Sequence, residues 1–408
     1  MRKVFIYSLL LVAGLVISQF LNGFGAFGIK LATMFCLSFI MIHVGCEFEI
    51  DKSRPKQYAW DYVVAGTAAA FPWILCALYF VFVMAPRQLW GHGDMWKEAL
   101  LQARFSSPTS AGVLFSMLAA AGLSATWLFK KARVLAIFDD LDTILLMIPL
   151  KMLLVGLRWQ LMAIVVVIVV LLWLAWRYLH QWRLPTGWPW MLLYAGIVTG
   201  VCEAVYLASR VIDDTVPVHL EVLLPAFVLG CLLTRPAGHD AHAAGHANAH
   251  EQRVSTIVSA CFMVLVGLSM PPIQGATPTA LTEPIEKPVL AFAGAAADVL
   301  ARKNAFPGWG WIAWHVVIIT LLSNLGKMFP ALCYRREASW RERLAVAVGM
   351  FPRGEVGAGV LVISLTYGLG GPVLTVAVLS LALNLLLTGV FIAVVKKLIA
   401  SPQEQPRH

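Results

Sequence analysis

Charge is what this chain has least of. Of its 408 residues, 13% are Asp, Glu, Lys or Arg, against 60% hydrophobic. A soluble globular domain carries about 25% charged residues, so a soluble fold is excluded. Cysteine is sparse as well. The seven cysteines (36, 46, 76, 202, 231, 261 and 333) form no Cys-x-x-Cys pair and lie within or beside apolar runs. That pattern excludes a disulfide framework or a zinc site and predicts free thiols. Also missing are the short alternating segments of about ten residues that a membrane β-barrel needs. What remains is one continuous apolar run after another. In lipid, a helix satisfies its own backbone. The expected fold is therefore an all-α polytopic membrane protein.

Twelve candidate spans can be drawn, at about 4–21, 27–46, 60–84, 98–120, 132–156, 159–179, 189–208, 217–233, 254–272, 310–333, 341–367 and 372–396. Each suffices to cross roughly 30 Å of hydrocarbon. The Met1-Arg2-Lys3 start has no cleavage-site pattern behind it, so the first run reads as a membrane helix. With the N-terminus inside, 19 of the 31 Lys and Arg residues fall on inside segments. Seven fall outside: Arg87, Lys97, Arg158, Arg210, Lys287, Arg302 and Lys303. The bias puts both termini in the cytoplasm. It also explains the net charge of +9 without nucleic acid. Tryptophans at 90, 96, 159, 182, 188, 190, 309 and 311 sit near span ends, as an aromatic belt does.

Two loops differ from the rest. The inside stretch 238–250 is His-rich, with His239, His242, His246 and His250 spaced so that a helix would align them. Such a tract suits either a metal or pH sensor or a solvated linker. The outside loop from about Pro271 to Gly308 contains an apolar segment, Val289 to Leu300, too short to span, which reads as an amphipathic or re-entrant helix.

The charges that do occur inside spans carry the chemistry, because ionisable groups in hydrocarbon are costly. Ile137-Phe138-Asp139-Asp140-Leu141-Asp142 places three carboxylates in four positions of one run. Lys30, Arg104, Lys151, Lys327 and Arg353 are the basic residues inside or at the edge of spans. Lys327, in Ser323-Asn324-Leu325-Gly326-Lys327, needs a carboxylate to keep its proton in a low dielectric, and Asp139 and Asp140 are the obvious partners. A lysine that snorkels to the interface is the plainer alternative. Phe105-Ser106-Ser107-Pro108-Thr109-Ser110 and Met350-Phe351-Pro352-Arg353-Gly354-Glu355 each interrupt an apolar run with proline and polar residues. The second predicts a break that frees backbone groups at membrane depth, with a short cytoplasmic turn as the alternative. The first, taken alone, reads as a helix bend softened by serine back-bonding, and reads as a break once the two are compared. Interrupted spans at corresponding positions of two halves point to a midplane site in an inverted-repeat transporter. Spans 3–5 and 10–12 are then the repeats, of opposite orientation.

With these residues assembled, the chain resembles the monovalent cation:proton antiporters over about Phe39 to Val395. The resemblance is carried by Val44-Gly45-Cys46-Glu47, Ser106-Ser107-Pro108, Ala136-Ile137-Phe138-Asp139-Asp140, Val264-Leu265-Val266-Gly267-Leu268, Gly326-Lys327 and Met350-Phe351-Pro352-Arg353-Gly354-Glu355. It implies an antiporter fold with two discontinuous crossing helices. Core helices lie at about 60–156 and 310–396, scaffold and dimerisation helices at about 4–46 and 159–272, and a short tail at 401–408. It also implies a homodimer in the cell's inner membrane, serving pH homeostasis. Asp140 would bind a cation or a proton in turn, and Asp139 would pair with Lys327. Ser106, Ser107, Pro108 and Thr109 would line the ion path at one crossover. Pro352, Arg353 and Glu355 would hold the other. No cofactor is implied, only transported Na+ (or Li+ or K+) and H+. The Asp-Asp pair resembles electrogenic members. Asp142 and Glu47 receive no assigned role, and Ser106 stands where the family has Thr.

Other classes need residues that this chain lacks or shares. An intramembrane aspartyl protease needs two Asp on separate helices, one in a Gly-x-Gly-Asp context, and neither condition is met. A potassium/proton antiporter and a cation channel share this composition. The short stretch after Val395 holds no nucleotide-binding domain of the kind that ligand-gated potassium efflux systems often carry.

Overall fold

Apolar runs of this length form helices, and proline, glycine and short polar clusters decide where each one stops. The structure, a computed structural model, describes residues 2–20, 26–46, 48, 55–155, 159–212, 222–234, 247–269, 308–366, 369 and 371–400. Within them lie α1 (Arg2–Ser18), α2 (Ala26–Cys46), α3 (Pro55–Tyr79), α4 (Gly93–Ala103), α5 (Ala111–Ala120), α6 (Trp127–Val155), α7 (Trp159–Arg177) and α8 (Trp188–Ile212). The chain continues through α9 (Leu223–Leu232), α10 (Ala247–Leu268), α11 (Trp309–Gly326), α12 (Phe329–Leu332), α13 (Trp340–Gly349), α14 (Glu355–Thr366) and α15 (Gly371–Ala400).

Each expected span coincides with a helix or a broken pair of helices. Among the described residues, five are long and apolar enough to cross a membrane by themselves: Phe27–Cys46, Lys56–Met84, Trp188–Val211, Trp309–Leu332 and Gly371–Ile399. The 29 residues of α6 are interrupted by the carboxylates and basic residues that make it interesting. The two spans with internal Pro and Ser or Gly are split. Between α4 and α5 the chain makes a 3-10 turn (Arg104–Ser106) and then runs non-helically through Ser107 to Ser110. Between α13 and α14 it is non-helical from Phe351 to Gly354. Ser110 restarts the helix by capping it, its hydroxyl accepting from the Val113 N–H at 3.3 Å. Glu47, the outside loop 270–307 and His239, His242 and His246 lie outside the described residues, and His250 falls in the first turn of α10.

The helices form two compact units. One holds α1, α3 to α6 and α11 to α15; the other holds α2, α7 to α9 and most of α10. Within the first unit, α1 packs against α15 and α5.

In the second unit, α2 lies against α9 and α8. Gly45 and Gly230 face each other so closely that a Cβ on either would strike the other helix's backbone. Small residues permit such contact between membrane helices. Lys30 donates to Glu203 at 2.7 Å and lies 4.5 Å from the Tyr206 ring centre, giving both of these intramembrane charges a structural partner.

In the first unit, α15 packs on α11, α13 and α1. Tyr79 on α3 and His315 on α11 share a hydrogen bond of 2.6 Å, beside Trp311. His43, in the second unit, bonds its own helix at the Phe39 carbonyl. Both histidines are thus held by hydrogen bonds, as expected of packing residues. At Gly326, a Cβ would lie 2.5 Å from the Pro72 nitrogen of α3. Only glycine permits that approach, and the approach fixes where Lys327, the next residue, begins.

Candidate functional site

Three segments of the first unit converge on Asp139. It lies in the middle of α6 and is fully buried. Lys327, equally buried, donates to both of its carboxylate oxygens at 2.8 Å. The Thr109 N–H, freed by the first break, donates to Asp139 Oδ2 at 2.7 Å. Lys327 therefore does not snorkel. It ends α11 and turns its ammonium inward. A buried ion pair of this kind offsets its desolvation only when its remaining bonding capacity is also met, and here the break supplies a donor.

Asp140, the next residue, is 2% exposed. Adjacent helical positions point about 100° apart, so it presents its carboxyl to a different side of α6. Asp142 is 5% exposed. One of its carboxylate oxygens has no hydrogen-bond partner, and that oxygen lies 2.9 Å from where a Cβ on Gly66 would be. Its other interactions run to the Tyr62 hydroxyl and, electrostatically, to Arg104. Arg104 is fully buried, donates to the Thr143 carbonyl at 2.8 Å and packs 4.7 Å from the Trp73 ring centre.

The two breaks touch. The Ser110 N–H donates to the Pro352 carbonyl at 2.9 Å, and the Thr109 hydroxyl donates to the Met350 carbonyl at 3.0 Å. Arg353 spans both. Its Nε donates to the Ser106 carbonyl at 2.8 Å, its Nη1 to Asn324 Oδ1 at 2.8 Å and its Nη2 to the Ser323 carbonyl at 2.8 Å. The guanidinium thus collects acceptors from a broken helix and from the end of α11, two carbonyls and a side-chain amide. Backbone left unpaired by a break must find partners in low dielectric. Each break here provides them for the other.

The serines use their hydroxyls structurally. Ser106 donates to the Ala103 carbonyl at 2.7 Å and Ser107 to the Ala69 carbonyl on α3 at 2.8 Å. Their lone pairs remain able to accept or to ligate. Pro108 cannot donate, which keeps the chain extended past this point. Glu355 begins α14, and its side chain lies outside the described ones, as does that of Lys151.

One group of buried charges escaped sequence reasoning. Asp61 on α3, Lys131 on α6 and Tyr334 after α12 meet at 3.1 Å (Lys131 to Asp61) and 2.7 Å (Tyr334 hydroxyl to Asp61). Glu337 completes the cluster at 3.0 Å from Lys131. Lys131 counted as a loop charge, and Asp61 sits at a span edge where an acid attracts no notice. The available signal was a single acid in the first turns of an apolar span.

A family model described as sodium/hydrogen exchanger, transmembrane, matches residues 2–398. No curated protein matches the chain. Among solved structures, the sodium proton antiporter MjNhaP1 from Methanocaldococcus jannaschii at pH 8 is similar, with a TM-score of 0.53 and 14% identity, over 97% of this chain and 92% of that one. At that identity the likeness concerns the fold. An all-helical chain with this fold, matched along nearly its whole length, belongs to the sodium/hydrogen exchanger family of membrane antiporters.

Proposed function

We propose that this chain exchanges sodium for protons at Asp140, with Asp139 as the fixed neighbour that keeps the site poised. The observation that carries the reading is the pairing of Lys327 with Asp139 through both carboxylate oxygens. The ammonium neutralises Asp139, leaving Asp140 as the adjacent carboxylate whose charge a mobile ion can match. Two neighbouring carboxylates do not both ionise cheaply in low dielectric. A proton and a sodium ion therefore compete for Asp140, and each arrival displaces the other. Competition at one site, opened to the two sides of the membrane in turn, is antiport. The break backbone and the hydroxyls of Ser106, Ser107 and Thr109 offer further hard oxygen, which suits an alkali cation. No resident cofactor enters this scheme. We place both termini in the cytoplasm on the Lys and Arg bias, in the plasma membrane, and take the working unit to be a homodimer with a role in pH homeostasis.

Reconstituted protein tests this. Asp140→Asn is expected to abolish sodium-driven proton movement in proteoliposomes while the protein still inserts and purifies normally. Retained pH-dependent sodium uptake by that variant would remove Asp140 from the mechanism. Conduction of sodium by the wild type without any proton flux would replace exchange by a channel. Stronger competition by potassium than by lithium would reassign the cation.

A further inference from the structure

The Asp61–Lys131–Tyr334 cluster shares two segments with the ion site, α6 and the stretch that follows α11, and adds α3, which holds the first break through Ser107. On α6, Lys131 precedes Asp139 by eight residues, and on α3 Asp61 precedes Ala69, the acceptor for Ser107, by eight. On the third segment, Tyr334 follows Lys327 by seven. Eight helical residues advance about 12 Å, so the cluster stands one level away from the site along α3 and α6 alike. α6 and the stretch after α11 each contribute one residue to the cluster and one to the site, while α3 contributes Asp61 to the cluster and the Ala69 carbonyl that anchors Ser107.

The cluster is closed and directional. Lys131 and Asp61 are 6% and 2% exposed. The ammonium also lies 4.3 Å from the Tyr334 ring centre. Glu337 is the outward member, its side chain 33% exposed. Tyr334 adopts a left-handed backbone with φ of 55°, uncommon for a bulky residue. Such a conformation persists only where its surroundings enforce it. Here it places the hydroxyl on Asp61 and turns the chain from α12 toward α13, which leads into the second break.

From this we infer that Asp61, Lys131 and Tyr334 are positioning residues that set the lengthwise register of the Lys327 segment on α6. Between Lys327 and Tyr334 runs only Met328, the single turn of α12 and Cys333. A shift of that segment along α6 moves the ammonium relative to Asp139 and the Thr109 N–H. The clamp resists the shift at one end, and the Gly326–Pro72 contact resists it at the other. The inference rests on the reading of Asp140 as the exchange site, and it makes that site's ion affinity depend on residues that never touch an ion.

Sodium-dependent exchange by Lys131→Met and Tyr334→Phe in proteoliposomes tests it, with Lys131→Arg as the charge-preserving control. The expected result is a KM for sodium raised about fivefold or more, the lower end of ordinary coupling between sites. The maximal rate should stay within about twofold of wild type, and Lys131→Arg should return KM close to the wild-type value. Unchanged KM in both uncharged variants, or equal loss of rate in all three, reduces the cluster to a structural staple and overturns the inference. If Lys131→Met fails to insert, Tyr334→Phe alone decides, since it removes one hydroxyl and no charge. A wild type without sodium/proton exchange defeats the functional reading instead. The clamp is then scored by amide hydrogen exchange of residues 327–333, which Tyr334→Phe must accelerate if the inference holds and leaves unchanged if it does not.

Discussion

At the scale of single residues, the site depends on how each buried charge is satisfied. Lys327 has Asp139 as its hydrogen-bonded ion partner, so Lys327→Met leaves a buried carboxylate beside one backbone donor. Removing one partner of a buried ion pair costs about 3–5 kcal/mol. Thermal unfolding in detergent should show this as a clear fall in midpoint, largely recovered in the Asp139→Asn/Lys327→Met double variant. Arg353 depends on shape more than charge. Its three outward bonds leave from three different nitrogens in a planar fork, which an ammonium on a flexible stem cannot reproduce. Arg353→Lys should therefore destabilise by about 2–4 kcal/mol, one or two charge-assisted bonds' worth, in the same assay. Asp139 and Lys327 were legible in the sequence because opposite charges in apolar runs must find each other. The partners of Arg353 were not, because carbonyl acceptors have no side-chain signature. Asp61 and Lys131 were hidden for another reason: charges near span ends look like ordinary loop charges until burial is known.

At the scale of elements, proline and glycine announced the second break, while the first, which alone reads as a bend, is a full break across residues 104–110 because Pro108 and the bonds of Ser107 and Ser110 to other segments hold it open. Their mutual hydrogen bonding was not readable, since it joins segments far apart in the chain. Thr109→Ala separates the two contributions of that residue. The backbone N–H to Asp139 survives, while the hydroxyl bond to Met350 is lost. A loss of about 1 kcal/mol in stability is expected, the net value of one hydrogen bond, read as a small fall in the thermal midpoint in detergent. Thr109→Pro removes the N–H itself and should abolish exchange in proteoliposomes. The short α12 also escaped the sequence reading, which drew one uninterrupted span at 310–333. The end of α11 at Gly326, imposed by the close approach of Pro72, is what lets Lys327 turn inward.

At the scale of the whole molecule, the helices among the described residues fall in the apolar regions that hydropathy marked. Hydropathy locates spans but is silent about which spans pack together. The placement of α1 follows from contacts with α15 and α5 that only three-dimensional packing reveals.

The joining of the two breaks also has a consequence for biosynthesis. Thr109 and Met350 lie 241 positions apart, and Asp139 and Lys327 lie 188 apart. At about 5–20 residues per second, the first break waits roughly 10–50 s for its partner to be made. During that interval α6 holds a carboxylate with no lysine to meet it, and the larger part of the second unit, α7 to α10, is synthesised in between. The nascent chain must be sheltered by water or by the insertion machinery until the last quarter emerges. Chains truncated before Lys327 should thus be cleared by membrane proteases faster than chains truncated after α15, a difference that pulse-chase labelling resolves.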